Sequence, residues 1–282
     1  NSKNFRVANN WLEAGPNTAL RVESGPGVIS GNAFTTNSGA PISGLNITTN
    51  ADIDVRAHDI AVVGNTFEVA YNGLRISGSQ AITITGNAFR NTTHASGIAL
   101  IMEGYEGSGN DYAADSCIIL GNTFYNCRNG IKLTIYGATT NATSNCCIAH
   151  NTITEGAITL GIGIDEATAN NSNAIIENNI ILNATTAIVK TSTTTRIRGN
   201  SGFATESSGT GTIASGSTST AITHGLALTP AAKNISIAAT NSPTNDPGHM
   251  WISTITSTQF TVNCRADPGS GGLTFEWQCM VV

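Results

Sequence analysis

The stretch Val62-Val63-Gly64-Asn65-Thr66-Phe67 is written again and again along this chain. Close copies are Val7-Ala8-Asn9-Asn10-Trp11-Leu12, Ile29-Ser30-Gly31-Asn32-Ala33-Phe34, Ile84-Thr85-Gly86-Asn87-Ala88-Phe89 and Ile119-Leu120-Gly121-Asn122-Thr123-Phe124. Looser copies centre on Asn151, Asn179 and Asn200. Successive central asparagines are 22, 33, 22, 35, 29, 28 and 21 residues apart, so the unit is 21 or 22 residues and longer gaps hold insertions. A repeat of this length specifies a solenoid.

Three residues before each asparagine stands Val or Ile, and two residues after it stands Leu12, Phe34, Phe67, Phe89, Phe124, Ile153 or Ile181; only the last copy breaks the rule, with Gly202. The residue just before the asparagine is Gly, or else Asn9, His150 or Asn178. These types best tolerate a left-handed backbone. The word therefore reads as a tight bend between two short strands, with the asparagine turned inward. A second word follows each bend, as Ala19-Leu20-Arg21-Val22, Gly44-Leu45-Asn46-Ile47, Gly73-Leu74-Arg75-Ile76, Gly97-Ile98-Ala99-Leu100, Gly130-Ile131-Lys132-Leu133 and Gly161-Ile162-Gly163-Ile164. Its alternation is that of a strand with one buried face. Each unit offers two or three strands and no helix. Stacked units pair in parallel about 4.8 Å apart, which lets the amides of one column bond to the coils above and below.

This turn-and-ladder pattern resembles the right-handed parallel β-helix of the pectate-lyase-like superfamily, over residues 1–203. The resemblance implies an all-β fold. After Phe203 the ladder stops, and residues 204–211 read as a Ser/Gly-rich linker. Beyond it, apolar alternation over 211–214, 220–226, 234–240, 250–255, 259–264 and 273–279, with Pro and Gly between, predicts a small antiparallel β-sandwich, so that 204–282 form a second domain.

The run Thr220-Ala221-Ile222-Thr223-His224-Gly225-Leu226, with Pro230, Gln259-Phe260-Thr261-Val262 and Phe275-Glu276-Trp277, resembles the small β-module that ends some phage tail fibres and tailspikes. The resemblance implies a trimerisation or carbohydrate-binding role for 204–282. For the whole chain it implies a homotrimer of the virion tail, folded in the host cytoplasm, that binds and often cleaves bacterial surface polysaccharide.

Composition narrows the alternatives. With a net charge of -5 and no basic run, nucleic acid is not an expected partner. No apolar run approaches the roughly 20 residues of a spanning helix, so membrane insertion is not expected. The chain starts at Asn1 without Met and is in pattern by Val7, which reads as a piece of a longer protein. Six cysteines are too few to frame so long a chain. Cys117 and Cys146 stand five residues before their asparagines and read as stacked core thiols; no metal and no cofactor is expected. Cys264 and Cys279 fall on two predicted strands and could pair.

The chemistry is expected along the second word. Its outward residues, coil by coil, are Arg21, Asn46, Arg75, Ala99, Lys132 and Gly163, followed two residues on by Glu23, Thr48, Ser77, Ile101, Thr134 and Asp165. Excursions over 49–58, 102–115, 135–145 and 165–173 leave after this same strand and should gather on one flank. Carbohydrate sites need flat aromatic surfaces for sugar rings and polar groups for hydroxyls. Arg75, Tyr105, Glu106, Asp111, Tyr112, Lys132 and Tyr136 supply both as candidate substrate contacts. Glycoside hydrolysis needs two carboxyls, about 5 Å apart for retention or 6.5 to 9.5 Å for inversion. Glu103 and Asp165 leave equivalent strands two coils apart, about 9.6 Å, so Glu103 with Asp165 or Glu166 is the candidate acid/base pair, with Asp111 and Asp115 in reserve. Three alternatives stand beside hydrolysis: a lyase in which Arg75 and Lys132 neutralise a uronate, a fibre that only adheres, and acids that are simply solvated loop residues.

Overall fold

The computed structural model describes residues 4–14, 17–36, 43–49, 55–107, 110–136, 140 and 142–281. The chain divides into two compact units, Asn1–Gly202 and Phe203–Val282.

The first unit is a parallel β-helix of three stacked sheets. The first sheet runs from Phe5–Ala8 to Arg196–Arg198, the second from Trp11–Ala14 to Ile180–Leu182, and the third from Leu20–Val22 to Thr186–Val189. Coils are numbered here by their asparagines, Asn10 to Asn200. The bend between the first and second sheets is left-handed at Asn9, Gly31, Gly64, Gly86, Gly121, His150, Asn178 and Gly199. This turns the asparagines from Asn32 to Asn200 into the interior, while Asn10 at the first coil stays exposed; inside, Asn65 donates its backbone N–H and its Nδ2 to Asn87 Oδ1 at 2.8 and 3.0 Å, and Nδ2 also to Ile29 O at 2.9 Å. The same bonds repeat from Asn10 through Asn200. Buried polar groups are thereby satisfied where no water could reach them. Beside the ladder, Phe34, Phe67, Phe89 and Phe124 stack at centroid spacings of 4.7 Å, continued by Ile153 and Ile181.

The third sheet corrects the sequence alignment in two coils. Leu100 lies opposite Leu74 and Ile131, so the outward column reads Arg21, Asn46, Arg75, Ile101, Lys132, Asp165 and Val189. Ile101 and Asp165 therefore occupy the places expected for Ala99 and Gly163. A slip of two residues leaves each side chain on its face and moves it along the strand. What sets the register is a column of small residues, Gly44, Gly73, Ala99, Gly130, Gly163 and Ala187. A Cβ added at Gly73 would lie 2.6 Å from Ala99 O, and one at Gly130 2.3 Å from Gly163 O.

The second unit is two three-stranded antiparallel sheets. One holds Glu206–Ile213, Leu273–Met280 and Ile235–Ala239; the other holds Ser219–Thr223, Gln259–Cys264 and Met250–Ser253. Their core includes Ile213, Phe260, Val262, Leu273 and Phe275. The linker expected over 204–211 is instead mostly strand. Its glycines face rings: Gly209 pairs with Trp277 and Gly211 with Phe275, and a Cβ at Gly211 would come within 2.5 Å of the Phe275 ring. Aromatic side chains covering strand glycines make flexible-looking composition into sheet. Cys264 and Cys279 are both free and buried in this core, so the pairing considered above is not formed. Cys117 and Cys146 are free and buried inside the β-helix.

Candidate functional site

The strand Ile98–Gly107 runs past its coil and folds back through Asn110–Tyr112 as an antiparallel hairpin. Its neighbour Asn129–Tyr136 is extended alongside, with Tyr105 opposite Tyr136. These two rings stack at 5.8 Å and 8°. The Arg75 guanidinium lies 4.8 Å from the Tyr136 ring centre, and that of Arg56 lies 5.8 Å from the Tyr112 ring centre. Cation over aromatic face is an electrostatic attraction that holds both groups in place. Tyr136 is 49% exposed, so the platform is open.

Beneath it, Arg75 Nε donates to Glu103 Oε1 at 2.6 Å, and Ser77 Oγ donates to the same oxygen at 2.5 Å. Glu103 is only 2% exposed. One coil beyond, Lys132 Nζ lies 3.8 Å from Asp165 Oδ2. Burial pushes the Asp165 carboxyl above its ordinary range, and the Lys132 charge offsets this in part. Glu103 and Asp165 are two coils apart, as expected, but the register adds two residues along the strand. Their α-carbons are thus offset by about 12 Å rather than 9.6 Å, and Glu103 leans towards Arg75, away from Asp165.

Glu166 is a correction. It lies opposite the core residue Leu133 and is fully buried. Its carboxylate accepts the N–H groups of Thr191 and Ser192 at 2.8 Å each and the hydroxyl of Thr195. It fastens the following loop and cannot reach a substrate. The alternation of Ile162-Gly163-Ile164-Asp165-Glu166 already places Glu166 on the inner face, and reading it as the start of a loop hid this. Asp115 is likewise withdrawn from the face: Oδ1 accepts Ser144 Oγ at 2.5 Å and Asn145 Nδ2 at 2.9 Å. Burial pushes its carboxyl up, but the bonds from Ser144, Asn145 and Ser116, with the Arg56 charge, outweigh burial and leave it below the ordinary range.

The excursions do gather. Asp111 Oδ2 accepts both the N–H and the hydroxyl of Thr140 at 3.2 Å, joining the fourth-coil and fifth-coil excursions. Asn171 Oδ1 accepts the Thr143 hydroxyl at 2.8 Å, joining the fifth and sixth. Glu106 lies opposite Asp111 at the hairpin tip. From the second-coil excursion, Arg56 donates to Gly78 O at 2.9 Å and Ala113 O at 2.6 Å; Asp52 and Asp54 lie outside the described residues. Arg75, Glu103, Tyr105 and Tyr136 are thus brought together, with Tyr112 paired to Tyr105 across the hairpin and Lys132 with Asp165 adjoining. Sequence reading missed Arg56. Its value lies in bonds to backbone oxygens of two other coils, which no local pattern encodes.

Residues 1–205 match a protein-family profile described as NosD, periplasmic copper-binding protein. A search of curated proteins gave no match. Among solved structures, the chain is similar to the A-module of mannuronan C-5 epimerase AlgE4 of Azotobacter vinelandii, at 14% identity and a TM-score of 0.54, over 70% of this chain and 58% of that one. It is also similar to a mutant tailspike protein of E. coli bacteriophage HK620 in complex with pentasaccharide, at 12% identity and a TM-score of 0.50, over 98% of this chain and 60% of that one. The chain spans less than two thirds of either protein's solved length, and at these identities the likeness is one of fold.

Proposed function

Starting from a chain that belongs to the NosD family through residues 1–205, we propose that this member holds a bacterial surface polysaccharide across the outer face of its third sheet. The family description names copper. Copper sites are built from thiolate, thioether and imidazole donors. Among the described residues no three His, Cys, Asp or Glu side chains gather as a ligand set, and the Cys117 and Cys146 thiols are sealed in the interior. These residues do not fit a resident copper ion.

The observation that carries the glycan reading is the exposed Tyr105–Tyr136 stack with Arg75 over it and Glu103 behind. A flat aromatic surface takes the apolar face of a sugar ring, while the flanking guanidinium, held in place by the buried Glu103, reaches its hydroxyls. Titration calorimetry against purified surface polysaccharides tests it. Tyr136→Ala is expected to weaken binding at least tenfold; a variant that binds as tightly as the parent, or a parent that binds none, ends the reading.

Cleavage by hydrolysis is the finer reading, with Asp165, whose carboxyl burial shifts upward, as the candidate general acid. The offset from Glu103 counts against a ready-made pair. Asp165→Asn should bind the glycan yet leave its length unchanged on size-exclusion chromatography, where the parent shortens it. A lyase is less well supported, because Arg75 and Lys132 already face Glu103 and Asp165.

The homotrimeric tail-protein reading rests on a different surface. On coils five and seven, Ile118, Leu120 and Tyr125, then Ile175, Ile180 and Leu182, point outward from the first two sheets and are 36–48% exposed, with Cys147, Thr152 and Thr154 of coil six between them. Exposed apolar side chains grouped in this way suit burial against further copies of the same chain.

A further inference from the structure

Every cation in the outward column of the third sheet is answered by a carboxylate of the same face. Arg21 Nη2 lies 2.6 Å from Glu23 Oε1, Arg75 Nε 2.6 Å from Glu103 Oε1, and Lys132 Nζ 3.8 Å from Asp165 Oδ2. The border of the face leans further towards negative charge. Its excursions, over 49–58, 102–115, 135–145 and 165–173, contain one basic residue, Arg56, and eight acidic ones. Even with Glu166 turned inward, an approaching ligand meets an acidic rim.

Below the tyrosine platform the same face sinks into a groove of about 540 Å³, lined among others by Arg21, Asn46, Tyr71 and Arg75. Two arginines in a groove suggest an anion site. The pairing undoes that suggestion. Glu103 is only 2% exposed, so the charge it sets against Arg75 is poorly screened by solvent. A ligand carboxylate therefore meets a cation whose field is already cancelled, and drawing Arg75 away would leave Glu103 as a buried charge without its partner. A sugar hydroxyl meets neither obstacle. Glu103 takes the Nε hydrogen of Arg75, and a guanidinium has further N–H groups for neutral oxygens. Hydroxyls can also donate to the acidic rim, which only repels carboxylates.

We propose that this face takes a neutral polysaccharide and discriminates against one that carries uronate or other acidic groups. The inference rests on the glycan reading above and adds the class of sugar to it. Selectivity of this kind comes from repelling the wrong ligand as much as from holding the right one.

The test uses the full chain and a matched pair of ligands made from a surface polysaccharide that it binds. An acidic polysaccharide is compared with its carboxyl-reduced form, and a neutral one with a form oxidised at its primary hydroxyls to uronate. Titration calorimetry should find the neutral member of the pair bound about tenfold more tightly or better at low salt. The gap should narrow in about 0.5 M sodium chloride, where repulsion is screened, while the affinity of the neutral member stays level. Glu103→Gln keeps an acceptor for Arg75 and Ser77 but removes the counter-charge, so the ratio of acidic to neutral affinity should rise about tenfold. Glu23→Gln alters an exposed pair that the buried structure does not depend on, and should move the ratio the same way by a smaller factor. An acidic member that binds as tightly as the neutral one, or a ratio that neither variant moves, overturns the inference. If that acidic binding is lost in Tyr136→Ala, the glycan reading stands and the neutral class alone falls. If the parent binds no polysaccharide at all, both fall.

Discussion

At Asn87 one carboxamide serves three coils. Its Oδ1 accepts two bonds from Asn65, and its Nδ2 reaches Val62 O at 2.9 Å and Asn122 Oδ1 at 3.0 Å. Asn87→Ala strips donors and acceptors of partners in a space closed to water. At 1–3 kcal/mol for each group left unsatisfied, the loss should be about 3–5 kcal/mol, read as a lower urea midpoint. A variant within 1 kcal/mol of the parent would mean that the ladder contributes little. Acid titration separates two further residues. The Asp115 carboxyl is held below the ordinary 3.8, so the unfolded chain binds its proton first; its contribution is complete above pH 4 or so and is lost as pH falls through the lowered folded value. Asp165 runs the other way. Its raised value means the folded chain binds the proton first, so its unfavourable burial sets in as pH climbs from 3.8 through the raised value. Asp115→Asn should therefore lower stability at pH 7 and flatten its acid loss, while Asp165→Asn should leave stability at pH 7 equal or higher. Unfolding curves between pH 3 and pH 7 check both signs.

At the scale of elements, the bend and its ladder are legible in sequence because a left-handed residue, an inward amide and two flanking apolar residues must coincide at fixed offsets. The third-sheet register is less so. Ile98-Ala99-Leu100-Ile101-Met102 fits its neighbours equally well in steps of two, and the small-residue column that decides between them is visible only once the strands are stacked. The strand Glu206–Ile213 was hidden for a related reason: the rings that cover Gly209 and Gly211 stand more than 60 residues later, on Leu273–Met280. Gly211→Ala places a methyl against Phe275 and should destabilise the sandwich by about 1–3 kcal/mol through overpacking. Near-ultraviolet dichroism, which reports on Trp277 and Phe275, should lose intensity while the far-ultraviolet signal of the β-helix persists. An unchanged spectrum would show that the strand gives way easily.

For the whole molecule, the flank on which the excursions gather could be read from the sequence, because every excursion leaves after the same strand. The depth of each side chain could not. Glu103 and Glu166 look like loop acids in sequence, and both are buried by partners drawn from other coils, Arg75 and Ser77 for one, Thr191, Ser192 and Thr195 for the other. The outward apolar residues of coils five and seven lead to a prediction about assembly. Light scattering at micromolar concentration should give about three times the 29.0 kDa of one chain, and Ile180→Lys with Leu182→Glu should lower that mass. A parent mass of 29 kDa would remove the trimer.

The amide column also bears on how such a molecule can change in length. Every rung offers the same acceptor on one side and the same donors on the other, so neighbouring rungs are interchangeable parts of a polarised stack. Excising residues 66–87, one 22-residue turn of the spiral, would seat Asn65 directly against Asn122 with like bonds on either side, whereas removing half a turn would leave both ends unmatched. Growth or shrinkage is therefore quantised, and each step would slide the upper loops past the lower groove by one strand spacing, altering the span of whatever lies along that flank.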